Sequence, residues 1–155
     1  MLPYTQDSLI NLLRQYAAFK GLSQNPNPFL VSLNKEFRNP NTKTGVGNGI
    51  NAGDIIDNTF MFSFLGLNFI TRVEISYDDV KKTFNWGELN TYHIDKEDEE
   101  FLIVKYIYNY TGTILNTEPS ETAFTVTDFS EPYYMDFFQK FMEYSLKKDI
   151  KFPLK

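Results

Sequence analysis

The spacing of apolar positions along this chain changes once, near residue 55. Upstream, Leu9, Leu12, Leu13 and Tyr16 recur at i, i+3, i+4 and i+7, which predicts an amphipathic helix over 6–20. Thr5 or Asp7 stands where an N-cap belongs, and Gly21 stands where a left-handed C-cap belongs. The stretch Ser23-Gln-Asn-Pro-Asn-Pro28 reads as a turn-forming linker. Phe29, Leu30, Leu33 and Phe37 share one helical face and predict a short second helix, with a strand at 29–33 as the alternative.

Beyond Ile55 the period falls to two. Phe60, Phe62 and Phe64 alternate with Met61, Ser63 and Leu65. The spacing of Ile56, Phe60 and Phe64 also fits a helix over 54–64, but the aromatic density favours a strand. After Gly66, Leu67, Phe69, Val73, Ile75 and Tyr77 point one way and Asn68, Arg72, Glu74 and Ser76 the other, as in a strand with one solvated face. Asp78-Asp79 opens a turn, and a further strand runs through Phe84 and Trp86 to about Ile94. Asp95 to Glu100 is a charged turn, Phe101 to Tyr110 is strongly strand-like, and Thr111-Gly112 forms a tight turn. Thr113–Asn116 and Ala123–Thr127 add short strands. Strands joined by short turns make a meander.

The helical period returns over 131–148, where Tyr134, Phe137, Phe138, Phe141 and Met142 form a broad apolar face. Ser130 suits the N-cap, and Lys147-Lys148 suit the last turn. The predicted fold is α+β: an antiparallel sheet of about four to six strands, with N-terminal and C-terminal helices packed on one face. With 155 residues the chain fits one domain spanning 1–155.

One segment falls outside these periods. Residues 39–54 carry four of the eight glycines, with little that anchors a core. Gly45-Val-Gly-Asn-Gly49 lacks the Gly-Lys-Ser/Thr of a phosphate loop and the strand-to-helix context of a dinucleotide fingerprint. The segment reads as a flexible arm or hairpin tip, so Asn41, Lys43, Val46, Asn48 and Ile50 become candidate partner contacts.

Composition narrows the chemistry. With no cysteine, disulfides, thiolate metal sites and a cysteine nucleophile are excluded. His93 is the only histidine. Its neighbours Asp95, Glu97, Asp98, Glu99 and Glu100 read either as a carboxylate-rich metal site or as a solvated hairpin turn, and the EF-hand spacing is missing. Asp54 with Asp57, and Asp78 with Asp79, are paired carboxylates by proximity alone. Arg72 beside Glu74 reads as an anion site or, better, as an ion pair on the solvated strand face. No catalytic residue, cofactor site or metal site is assigned, and the chain is expected not to be an enzyme.

The net charge of −5 is uneven: +3 over residues 1–43, −7 over 54–100, −4 over 101–139 and +3 over 140–155. Scattered basic groups argue against direct nucleic-acid binding. With no apolar run long enough to span a bilayer and no signal peptide, no membrane partner is expected; the protein is expected to be soluble and intracellular, or virion-borne if phage-derived.

Aromatic residues make up 17% of the chain. Trp86 and the run Tyr106, Tyr108 and Tyr110, which falls on one strand face, read either as a recognition surface or as a core layer. The leading expectation is a non-catalytic protein–protein assembly module that self-associates or binds a protein partner, such as a ring or connector subunit of a bacteriophage neck or tail. Alternatives are an acidic inhibitor or immunity-type protein blocking a basic site, and a small-ligand binder or enzyme with a pocket between sheet and C-terminal helix.

Overall fold

A computed structural model of the chain describes residues 5–39, 50–110, 113–115, 124–125, 139 and 143–144. Two helices come first, α1 (Gln6–Leu22) and α2 (Pro28–Arg38). Seven strands follow: β1 (Ile50–Ala52), β2 (Thr59–Phe64), β3 (Leu67–Asp78), β4 (Thr83–Ile94), β5 (Glu100–Tyr108), β6 (Thr113–Leu115) and β7 (Phe124–Thr125). They form one sheet in the order β1-β2-β3-β4-β5-β6-β7, and every adjacent pair is antiparallel. The α+β meander is as expected. The strand count exceeds the expected four to six because very short strands close both ends.

The helix termini follow local chemistry. Thr5 caps α1, its Oγ1 accepting from the Ser8 amide at 3.1 Å. Asn27 caps α2, its Oδ1 accepting from the Phe29 and Leu30 amides, and Pro28 occupies the first turn, where its missing N–H costs nothing. Gly21 does not end α1; Ser23 does. A Cβ at Gly21 would stand 2.5 Å from the Tyr110 carbonyl oxygen, so the glycine permits a close approach of helix to sheet.

The core lies between the sheet and the two helices. Phe29, Leu30, Leu33 and Phe37 of α2 are buried against Phe60, Phe62 and Phe69. Phe37 meets Phe62 edge-on at 4.8 Å, and Phe62 stacks on Phe69 at 4.9 Å. The register Phe62↔Phe69↔His93 carries this layer across three strands. Inside the core, the Thr71 and Thr91 hydroxyls pair at 2.8 Å, so neither is left unsatisfied.

Two-residue turns at Asp57-Asn58 and Leu65-Gly66 have both central φ values positive, as a tight hairpin turn requires. The Asn58 side chain also ties the linker between the helices to the sheet. Its Oδ1 accepts from the Asn27 amide at 2.7 Å and its Nδ2 donates to the Gln24 carbonyl at 2.9 Å. The expected arm over 39–54 is corrected at its end. Residues 50–52 are β1, Asn34 Nδ2 donates to the Gly53 carbonyl at 2.9 Å, and Arg38 pairs with Asp54 at 2.5 Å. Residues 40–49 lie outside the described residues, as does most of the expected helix over 131–148. Within that span Gln139, Glu143 and Tyr144 are helical, and the Tyr144 hydroxyl lies 2.9 Å from His93 Nδ1 at one end of the core.

Candidate interaction surface

The apolar stripe of an amphipathic helix ordinarily faces the core. In α1 it does not. Every residue from Thr5 to Arg14 is exposed, and among the described residues the helix meets the body through its C-terminal part, at Gln15, Ala18, Phe19, Gly21 and Leu22. Three contacts fix this end: the Tyr108 hydroxyl donates to the Leu22 carbonyl at 2.7 Å, Phe19 meets Phe84 at 5.3 Å, and Gly21 abuts Tyr110. At about 100° per residue, the docked face of Gln15, Ala18 and Leu22 lies roughly opposite Leu9, Leu13 and Tyr16. These residues are accordingly 51%, 59% and 66% exposed, and Leu12 beside them is 47% exposed. Half-exposed leucines of this kind forgo on the order of 1 kcal/mol each relative to burial.

The sheet face opposite the helices is organised in rows across the strands. One row is apolar: Met61↔Ile70↔Tyr92↔Leu102. The next is basic, Arg72↔Asn90↔Lys105, and the next begins with the opposed carboxylates Glu74↔Glu88. Charges in neighbouring rows pair. Arg72 reaches Glu74 at 3.3 Å, forms a two-bond pair with Glu100, and lies 4.4 Å from the centre of the Tyr92 ring. Lys105 lies 3.5 Å from Glu88. Asn90, buried between the two glutamates, donates to Glu74 at 3.2 Å and to Glu88 at 3.0 Å. Trp86 Nε1 donates to Glu88 at 2.8 Å, and the Tyr92 hydroxyl donates to Glu74.

This network sets the ionisation of the face. Burial pushes the Glu74 carboxyl up, but donors from Tyr92, Asn90 and Arg72 outweigh it and hold the group below its ordinary value. Glu88 behaves alike: burial is overcome by Trp86, Asn90 and Lys105. Burial, with Glu74 as neighbour, pushes the Tyr92 hydroxyl up to about 12. The Glu100 hydrogen bonds raise Arg72 despite its desolvation. Depressed folded-state carboxylates stabilise the fold above their unfolded pKa of about 4.3, and that contribution disappears as pH falls through the lower folded values. Urea unfolding is therefore expected to show a steeper loss of stability below about pH 4.3 in the native chain than in Glu74→Gln. Parallel curves would refute the assignment.

The candidate residues read from sequence separate clearly. Tyr106 and Tyr108 are 5% and 2% exposed, so they belong to the core and not to a recognition stripe; Tyr110, beyond the strand, is 59% exposed. Ile50 is a buried β1 residue opposite Phe64, not an arm contact. Trp86 lies half-buried on the outer face, bound to Glu88. Asn41, Lys43, Val46 and Asn48 lie outside the described residues. Arg72 is an ion-pair residue, and Asp95 caps its own turn, its Oδ1 accepting from the Glu97 and Glu99 amides at 2.9 Å. Among the described residues no three His, Asp or Glu side chains converge as a metal site, and no helix is long and apolar enough to cross a membrane. The sequence reading missed the outward direction of the α1 stripe and the apolar row on the sheet. Comparison of the chain with protein-family models, with curated proteins and with solved structures finds no match.

Proposed function

We propose that this chain is a non-catalytic protein–protein assembly module that engages its partner through α1. The observation that carries the reading is the stripe Leu9, Leu12, Leu13 and Tyr16, exposed on a helix whose opposite side is already docked. Anchors at i, i+3, i+4 and i+7 are the pattern with which a helix fills a partner's apolar groove. The self-paired charges of the outer sheet face lend an acidic inhibitor little support, since Glu74, Glu88 and Glu100 already hold cations.

Sedimentation velocity of the full chain tests the reading. The native chain is expected to sediment above monomer mass as concentration rises, and Leu13→Glu to return it to monomer with an unchanged thermal midpoint. A native chain that stays monomeric at high concentration overturns it.

A further inference from the structure

We propose that copies of this chain join head to tail, the α1 stripe of one copy lying across the apolar row Met61–Ile70–Tyr92–Leu102 of the next. The inference rests on the assembly reading above and names its partner as a second copy. It starts from two apolar surfaces on opposite sides of one molecule. Met61 is 53% and Leu102 47% exposed on the outer sheet face, whereas α1 lies on the core side. One copy therefore cannot close its own stripe onto its own row.

The dimensions agree. From Leu9 to Tyr16 the helix advances about 10 Å. The row crosses four strands, a span of about 14 Å. An α1 helix set across the strands lays Leu9, Leu12, Leu13 and Tyr16 along the row, with Met61 and Leu102 at its two ends.

Charge complements shape. The helix has Arg14 and Lys20 against a single acid, Asp7, within residues 1–43 of net charge +3. The row ends beside the exposed acidic turn containing Glu97, Asp98 and Glu99, within residues 54–100 of net charge −7. Attraction between the two orients the encounter, and like charges oppose pairing of two α1 helices in parallel, where Lys20 would meet Lys20. Because the two patches differ, the contact is heterologous, and its repetition builds a ring or a filament.

Two double variants of the full chain test this. Leu12→Glu with Leu13→Glu spoils the stripe and keeps the row; Met61→Glu with Leu102→Glu spoils the row and keeps the stripe. Each alone is expected to weaken self-association about a hundredfold or more, and to be monomeric where the native chain assembles. Mixed together, they are expected to form a one-to-one dimer that grows no further, because one intact interface remains. If the row variant assembles like the native chain, the head-to-tail contact is wrong while the assembly reading stands. A mixture that stays monomeric also overturns the inference. A native chain that never assembles removes both. Thermal midpoints matching the native chain confirm that each variant folds; glutamine at the same positions replaces any that does not.

Discussion

A Gly87→Ala variant is expected to melt roughly 5–10 °C below the native chain, corresponding to a loss of about 2–3 kcal/mol. Gly87 in β4 faces Tyr108 in β5. The space a Cβ would take is filled by the Tyr108 ring, whose Cζ, Cε2 and hydroxyl are the nearest atoms. That ring has nowhere to go. It is 2% exposed, meets Phe29 edge-on at 5.6 Å, and donates to the Leu22 carbonyl at 2.7 Å. Burial pushes its hydroxyl pKa up, with a partial offset from Asn27. A methyl group at 87 displaces the ring and breaks the bond that holds the end of α1. The gain from restricting the unfolded glycine, about 0.5–1 kcal/mol, is too small to compensate. Tyr108→Phe separates the two effects, since it keeps the ring and loses only the hydrogen bond, at about 1–2 kcal/mol. An unchanged midpoint in Gly87→Ala would mean that the ring does not occupy that space.

Phe69→Ala is expected to cost about 3–5 kcal/mol in urea unfolding. Phe69 is 0% exposed, stacks on Phe62 at 4.9 Å and lies 5.6 Å from the His93 ring. Removing it opens a void in the aromatic layer beneath α2, which rigid neighbours cannot collapse to fill. Met61→Ala is the internal control. It lies one residue from Phe62 in the same strand but on the opposite face, and is expected to change monomer stability by no more than about 0.5 kcal/mol. Equal losses in the two variants would refute the assignment of faces.

The elements themselves were legible because each has a strong period. Three phenylalanines alternating over 60–64 bury one face of β2, and Phe29, Leu30, Leu33 and Phe37 bury one face of α2. The orientation of α1 was not legible in the same way. An amphipathic pattern says that two faces differ, not which one docks. The small side of the helix, Ala18 and Gly21, carried the signal, since close approach to the Tyr110 backbone excludes anything larger at 21. The tyrosine run was ambiguous because Tyr106 and Tyr108 flank Ile107, apolar in its turn. Lys105 breaks the tie: in phase with Ile107 and out of phase with the tyrosines, it marks the solvated face and sends the tyrosines inward. The rows of the outer sheet face needed register, and register depends on bulges between Ser76/Tyr77 and between Thr91/Tyr92 that no local pattern announces.

The described sheet ends in strands of three and two residues, Ile50–Ala52 and Phe124–Thr125. Pairings of three and two residues contribute few ladder hydrogen bonds, whereas β3 and β4 are paired over eleven positions. The outer pairs are therefore expected to exchange their amides through local opening at little free-energy cost, and the centre of the sheet only with global unfolding, so that the layer carrying the core keeps its protection while its margins open.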